Sequence, residues 1–253
     1  MKIQYCSDLH LEFTENKNFL DKNSIQPMGE IFLLAADSIP FAFLNEHDYF
    51  FDFVSDNFET VYWLPGNHEY SHYDLKHVKN PLYEKKRHNV FLVNNQIIPY
   101  KNISLIFSTM WTSIFPQNEL EMLRNISDYS LIKRQGKHIT PSDINSLNQI
   151  DFNFLTNDLS TNRDKTNVVV THHVPTLFNY PEKFKTSNIN QTFAPELYDF
   201  ILSTNPAYWI YGHHHHTTPE FKIGKSVLLT NQLGYVRQNE HEEFKNNSVI
   251  TIK

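Results

Sequence analysis

Residues 1–10 read MKIQYCSDLH, in which a short apolar run is followed at once by an aspartate and a histidine. The run Lys2–Cys6 has the length and the Ile and Tyr content of a strand, so it predicts a buried β-strand. Asp8 and His10 are two positions apart, and an extended backbone directs both side chains to one face. This stretch therefore predicts a strand with a polar site at its carboxyl end.

Strand-like runs recur along the chain and alternate with longer amphipathic stretches. By length and by content of Val, Ile, Phe and Tyr, further strands are predicted at Ile31–Ala35, Val61–Leu64, Val90–Val93, Ser104–Phe107, Val168–Val170, Tyr208–Tyr211, Lys222–Ile223, Val227–Thr230 and Ser248–Ile252. Helices are predicted at Phe41–Phe58, Asp74–Arg87, Asn118–Asn125, Pro141–Leu159 and Ala194–Leu202. This alternation predicts an α/β layered fold, and the strands after Tyr208 without helices indicate a mixed sheet.

The 253 residues suit one large domain, because no repeat and no linker rich in Pro, Gly or Ser interrupts them. We therefore expect a single domain over residues 1–253. The longest stretch without a clear strand, about residues 110–160, predicts a helical insertion beside the site.

Composition excludes several classes of protein. Hydrophobic residues make up 40% and charged residues 20%, which is typical of a folded globular protein rather than a disordered one. The formal net charge of -6 argues against tight, sequence-independent binding of nucleic acid, although a local basic groove is compatible with it. No run approaches the roughly 18 apolar residues of a membrane span. The single cysteine, Cys6, fits a reducing compartment, and the site residues begin at Asp8, so we expect a cytoplasmic protein without a cleaved leader.

Four more predicted strands are followed by polar motifs of the same kind. These motifs are Ala36-Asp37, Pro65-Gly66-Asn67-His68-Glu69, Thr171-His172-His173 and Gly212-His213-His214-His215-His216. In α/β sheets, ligands bind beyond the carboxyl ends of the strands, so motifs distant in sequence can converge there. Each motif alone has an ordinary interpretation, such as a helix cap or a turn, and the histidine run resembles an affinity tag. Their joint occurrence favours a common site.

The residue types in these motifs predict a metal site. Imidazole and carboxylate together suit zinc, iron or manganese, and the absence of thiolates argues against a structural zinc site. Only six glycines occur in the chain, and Gly66 and Gly212 each precede a candidate ligand. Glycine is needed where backbone passes close to an ion.

The series D-x-H, [GA]-D, G-N-H-E, a later histidine and G-H-x-H resembles the calcineurin-like metallophosphoesterase superfamily, and it extends from Asp8 to His215. The resemblance implies a four-layer α/β/β/α sandwich, in which two mixed sheets are flanked by helices. It also implies two divalent metal ions: Mn2+, Fe2+/Fe3+ or Zn2+. The ligands that the resemblance implies are Asp8, His10 and His215 for the first metal ion, Asp37 for both metal ions, and Asn67, His172 and His213 for the second.

By the same resemblance, the protein would be an enzyme that hydrolyses a small phosphomonoester or phosphodiester. A metal-bridging hydroxide would attack the phosphate, at a site whose catalytic residues are His68, Asp37 and Asn67. His68 would contact the phosphate and protonate the leaving group. His172 rather than His173 matches the ligand position, and His214 and His216 match non-ligand positions.

At one position the chain departs from the usual motif of the family. Ala36 stands where the family usually has glycine, which raises the question of backbone strain beside Asp37.

The chain also resembles a group of bacterial phosphoesterases of undefined substrate. The likeness lies in the segment Thr109–Thr112, which contains Trp111, and in Asp128-Tyr129 with the basic residues that follow it. We hypothesise that Asn67, His68, Asp128 and Arg134 bind the substrate. The alternative is a packing role for Trp111 and a solvated surface for Arg134.

Two other functions are compatible with these motifs. The first is a binding module that keeps the fold without catalysis, and the second is a metal hydrolase acting on an amide or a lactone. The filled ligand positions favour the phosphoesterase over both. The sequence contains no indication of the oligomeric state.

Overall fold

Two six-stranded β-sheets lie face to face in the computed structural model, which describes residues 1–161 and 165–252. Across the first sheet the strands are β14 (Val249–Thr251), β1 (Lys2–Cys6), β2 (Ile31–Ala35), β3 (Thr60–Leu64), β5 (Val90–Asn94) and β4 (Leu82–Lys85). Its four central strands are parallel, and the strand at each edge is antiparallel.

The second sheet repeats this plan. Across it the strands are β12 (Phe221–Ile223), β13 (Ser226–Thr230), β11 (Tyr208–Tyr211), β10 (Thr166–Thr171), β7 (Ile103–Ser108) and β6 (Gln96–Tyr100). Four parallel strands again lie between two antiparallel edge strands. The expectation of two mixed sheets is therefore confirmed.

The core between the sheets follows from the alternation of side chains along each strand. In β2, Ile31, Leu33 and Ala35 join the cluster between the sheets, whereas Phe32 and Leu34 join the cluster on the outer face. Phe107 and Val170 complete the inner cluster from the second sheet. Burial on both faces explains why the central strands are continuous apolar runs.

Helices cover both outer faces and complete the four layers. Helices α1 (Thr14–Lys22) and α2 (Asp48–Asn57) pack on the first sheet, where Phe50 and Val54 contribute to the outer cluster. Helices α5 (Pro141–Thr161) and α6 (Tyr198–Thr204) pack on the second sheet. Among the described residues, no helix has the length and apolar character needed to cross a bilayer.

Several predicted elements differ from the structure. The predicted helix Asp74–Arg87 is wrong: this segment contains a 3₁₀ turn, Leu75–His77, and strand β4. Pro81 lies in its middle, and proline removes a helical N–H and clashes with the preceding turn. Helix α1 and strand β6 were not predicted, because α1 is too polar to show a clear periodicity and β6 is a half-exposed edge strand.

The segment between β7 and β10 is not purely helical. It contains α3 (Glu119–Asn125), α4 (Asp128–Leu131), a hairpin of β8 (Lys133–Arg134) and β9 (Lys137–His138), and α5. Its apolar side chains form a cluster around Trp111, Met122 and Ile132. The division into one domain with an insertion at about residues 110–160 stays a prediction.

Left-handed backbone occurs in the turns that follow β1 and β2. The φ angles are +56° at Asp8, +46° at His10, +80° at Ala36 and +49° at Asp37. Each such residue costs about 1–3 kcal/mol, so neighbouring contacts have to hold it. Two backbone hydrogen bonds of 2.9 Å do so, from Asp8 N to Ala36 O and from His10 N to Asp37 O. Ala36 therefore adopts the conformation that glycine favours.

The strain at Ala36 predicts a difference between two neighbouring alanine-to-glycine changes. Ala35→Gly, at the end of β2, should cost about 1.5–2 kcal/mol, because it loses a buried methyl group and adds backbone entropy. Ala36→Gly has the same losses but removes about 1–2 kcal/mol of left-handed strain, so its net cost should be close to zero. Urea unfolding of the metal-free proteins measures both, and equal losses would contradict the proposed strain.

Candidate metal centre

The candidate ligands converge at one edge of the sandwich. Asp8, Asp37 and Asn67 follow β1, β2 and β3 of the first sheet, and His172 follows β10 of the second. All four are buried. The two sheets are joined here by hydrogen bonds, because His213 N donates to Asp8 Oδ1 over 3.0 Å. The sequence motifs thus meet where parallel strands end.

Two groups of possible ligand atoms share the carboxylate of Asp37. The first contains Asp8, His10, Asp37 and His215, and the second contains Asp37, His172 and His213. Within each group the ligand atoms lie no more than 4.8 Å from one another. His173 belongs to neither group, since its Nδ1 lies 3.1 Å from Thr109 O. A carboxylate with two oxygens can bridge two cations, so the shared position of Asp37 would suit a bridging ligand.

Three of the four histidines of these groups are oriented by a hydrogen bond at one ring nitrogen; the exception is His172, whose Nδ1 has no partner among the residues that the structure describes. His10 Nδ1 lies 3.2 Å from Glu12 Oε1, and His215 Nδ1 lies 2.8 Å from Glu240 Oε2. His213 Nε2 lies 3.1 Å from the carbonyl oxygen of Thr192. Donation by that nitrogen leaves the other one as the electron-pair donor, which is how metal-binding histidines are usually held.

The amide of Asn67 is oriented in a comparable way. Its Nδ2 donates to Asp128 Oδ1 over 3.0 Å, and its Oδ1 lies 2.9 Å from His172 Nε2. The amide oxygen therefore faces the second group of ligands. Asp128, which we hypothesised to bind substrate, is in contact with a candidate ligand and is itself buried.

The residues present fit a pair of cations. Asp8 and Asp37 are at most 1% exposed, and among the described residues no lysine or arginine pairs with either carboxylate. Asp37 Oδ2 is buried and accepts no hydrogen bond. His172 Nε2 lies 3.2 Å from this oxygen, and His172 is itself a candidate ligand. Buried carboxylates cost several kcal/mol unless they are fully paired, so bound cations would supply charge here. The imidazole and carboxylate donors suit manganese, iron or zinc.

Gly66 and Gly212 are required by close packing against these ligands. A Cβ atom at Gly66 would collide with Asp37 Oδ1 and lie 2.7 Å from the ring of His172. A Cβ atom at Gly212 would lie 2.6 Å from Asp8 Oδ2. Neither glycine has a positive φ angle, so the constraint is space rather than backbone conformation.

The carboxylate of Glu69 is buried beneath the turn that carries Asp37, and it accepts five N–H groups. Burial and the nearby Asp37 carboxylate raise the pKa of Glu69, whereas the five N–H donors favour the ionised form of Glu69. The donors are the backbone of Asp37 (2.9 Å), Ser38 (2.7 Å), Ile39 (3.4 Å) and Gly66 (2.6 Å), and the indole of Trp63 (3.0 Å). Glu69 thereby joins the turns after β2 and β3.

His68 belongs to neither group that contains Asp37, although its ring forms a third group of possible ligands with His10 and Glu12. Its backbone N–H donates to Asp37 Oδ1 over 2.9 Å, its Nδ1 lies 3.5 Å from Glu12 Oε1, and its Nε2 lies 3.4 Å from the hydroxyl of Tyr235. Burial lowers the pKa of His68, but Asp37 and Glu12 outweigh that effect and raise it to about 10. The imidazole is thus suited to carry a proton at the edge of the candidate metal centre.

A cavity of about 370 Å³ opens above these residues. Asp37, Asn67, His68 and Asp128 line it, as do His213 and His215. Arg134 lies outside this lining: it forms an ion pair of 2.9 Å with Asp143 and lines a separate recess. A substrate that reaches Arg134 therefore has to extend beyond the cavity.

Several residues of the site were missed at the level of sequence. Glu12 continues the two-residue spacing of Asp8 and His10. The left-handed φ angles of Asp8 and His10 show that the expected extended backbone is wrong here, so the spacing alone did not place Glu12. Glu240 holds His215 from 25 positions further along the chain, and no spacing pattern indicates it. The backbone carbonyl of Thr192 carries no side-chain signal at all.

Comparison with known proteins finds a relative in sequence and chains of similar fold. Uncharacterized protein L509 of Acanthamoeba polyphaga mimivirus is 30% identical over 278 residues, covering 99% of this chain and 96% of the viral protein. The phosphopantetheinyl hydrolase PptH from Mycobacterium tuberculosis has a similar fold, with a TM-score of 0.71 at 14% identity over 98% of this chain and 95% of that one. The protein TT1561 of Thermus thermophilus gives a TM-score of 0.50 at 13% identity, over 91% and 88% of the two chains.

The family comparison covers most of the chain, including every motif from Asp8 to His215. The model of the calcineurin-like phosphoesterases matches residues 1–217. Together with the two-sheet fold and the paired ligand groups, this match shows that the chain belongs to the calcineurin-like phosphoesterase family.

Proposed function

We propose that the protein is a metal-dependent hydrolase of a small phosphate ester, with two divalent cations at adjacent positions. The observation that carries this proposal is the shared position of Asp37 in both groups of candidate ligands. Family membership supports a phosphate ester as the substrate rather than an amide or a lactone.

The ligands divide between the two positions according to these groups. Asp8, His10 and His215 would hold one cation, Asn67, His172 and His213 the other, and Asp37 both. Two adjacent cations lower the pKa of a bound water molecule and neutralise charge on a phosphate. Manganese, iron and zinc all suit these donors.

His68 is the proposed general acid. Its ring carries the proton that the leaving oxygen needs, and Glu12 and Tyr235 flank its two nitrogens. Asp128 accepts a hydrogen bond from the amide of Asn67. This contact would orient Asn67 as a ligand of the second cation and so help to position that cation beside the phosphate. Proton donation by a positioned side chain typically contributes about 10²–10⁴-fold to the rate.

The proposed substrate carries its phosphate on an organic group small enough for the cavity of about 370 Å³. Both monoesters and diesters meet that requirement. The phosphopantetheinyl group, named for the mycobacterial protein of similar fold, is one ester of suitable chemistry.

We place the enzyme in the cytoplasm, because its one cysteine, Cys6, is a buried free thiol. We also propose one domain, in which the insertion at about residues 110–160 serves the site. Residues 125–128 of that segment line the cavity, which supports this division.

Removal and return of metal tests the proposal directly. Metal-stripped protein should hydrolyse bis-p-nitrophenyl phosphate or p-nitrophenyl phosphate only after manganese, iron or zinc is added. Asp37→Asn should abolish this turnover and reduce the bound metal, because both cations lose their shared carboxylate. The matched control is Asp56→Asn at an exposed aspartate, which should leave both quantities unchanged. Two ions bound without turnover of any ester would favour the non-catalytic binding module.

Substitution of the proposed general acid should separate chemistry from metal binding. We expect His68→Ala to lower kcat by about 10²–10⁴-fold on esters with poor leaving groups, and much less on p-nitrophenyl esters. The metal content should remain that of the unmodified enzyme, because His68 is outside the two groups that share Asp37. His138→Ala, at an exposed histidine, is the control. A loss of bound metal in His68→Ala would overturn the assigned role.

A further inference from the structure

The walls of the cavity carry information about the organic part of the substrate. Two segments form these walls above the candidate ligands: residues 125–128, at the end of α3 and the start of α4, and residues 180–193, before α6. Neither segment contains a candidate metal ligand, so both are available to contact a substrate.

Apart from its histidines, the lining is free of basic side chains. Among the lining residues, all of which the structure describes, there is no lysine and no arginine. Besides the candidate ligand Asp37, the lining contains the carboxylates of Asp128 and Glu240. A second anionic group on a substrate would therefore find no cation in the walls and would lie near these carboxylates.

The walls instead combine aromatic, aliphatic and neutral polar side chains. Tyr180 and Phe193 pack on the histidines of the floor, with ring centroids 5.5 Å from His214 and 4.9 Å from His213 respectively. The other apolar lining residues of the walls are Ile126, Phe184 and Ile189, and the neutral polar ones are Asn125, Ser127, Ser187, Asn190 and Thr192. Such a surface suits an uncharged group that can both pack and form hydrogen bonds.

Two basic side chains approach the rim without lining the cavity. Lys183 Nζ lies 4.6 Å from the ring centroid of Phe184, and the guanidinium of Arg237 lies 5.7 Å from the ring centroid of Tyr235. Phe184 is 36% exposed, which places it at the mouth. Neither cation belongs to the lining, so the requirement for an uncharged group applies to the part of the substrate that lies against the lining residues.

The two cations of the proposed function would offset the charge of the phosphate itself, so the walls act on the organic group alone. We infer that the site takes a phosphate ester whose organic part includes an uncharged, hydrogen-bonding arm that lies against the two walls. This inference rests on the proposed function and narrows its substrate class.

Three p-nitrophenyl phosphodiesters that differ only in their second group test this inference. The second group is methyl, N-acetyl-2-aminoethyl or carboxymethyl, and kcat/KM is measured for each with manganese-loaded enzyme. We expect the amide arm to exceed methyl by roughly tenfold and the carboxylate arm to fall below methyl. Phe184→Ala should bring the ratio of the amide probe to the methyl probe toward one.

A charge introduced into the wall provides the converse test. Ser187→Lys should raise kcat/KM for the carboxylate probe relative to methyl, because it supplies the cation that the lining lacks. Leu202→Ala, at an exposed leucine of α6, should leave all three ratios unchanged. Equal rates for the three probes, or a preference for the carboxylate arm in the unmodified enzyme, would overturn the inference while leaving the hydrolase intact. Turnover of p-nitrophenyl phosphate without turnover of any probe would overturn the inference alone. Absence of turnover on all four esters would overturn the proposed function as well.

Discussion

The buried carboxylate of Glu69 is the interaction on which the site depends. It accepts N–H groups from the turns after β2 and β3, and these turns carry Asp37 and Asn67. Without it, several buried donors would lose their partner, at about 1–3 kcal/mol each. Because Glu69 accepts hydrogen bonds from the backbone of the turn that carries Asp37, the carboxylate of Asp37 can face both groups of candidate ligands. The position of one acidic side chain thus fixes the centre of the site.

The same region contains conformations that a stable fold would otherwise avoid. Left-handed backbone at Asp8, Ala36 and Asp37 costs free energy, and so does the burial of adjacent carboxylates. The parallel strands on either side are buried on both faces, and they supply the rigid frame that tolerates these costs. Bound cations would offset the electrostatic part. Stability is therefore concentrated in the sheets, and strain is concentrated in the turns that present ligands.

Local patterns predicted an α/β layered fold with a mixed sheet and the motifs that converge, whereas the two face-to-face sheets were implied by the resemblance to the calcineurin-like family. Each of the motifs ending at His10, Asp37, Asn67, His172 and His215 follows an apolar run, so position relative to a strand end could be read directly. Longer-range contacts could not be read in this way. The partnership of Glu240 with His215 depends on a loop without periodicity, and the ion pair of Arg134 with Asp143 depends on how a hairpin folds onto α5. Pro81 was the overlooked signal against the predicted helix Asp74–Arg87.

The central claim is that Asp37 lies between two cations. The most direct measurement is anomalous diffraction from crystals of the manganese-loaded protein, collected at the manganese absorption edge. The account predicts two anomalous peaks roughly 3.5–4 Å apart, with the carboxylate of Asp37 between them. One peak beside Asp8, His10 and His215 alone, or no peak within reach of Asp37, would contradict it.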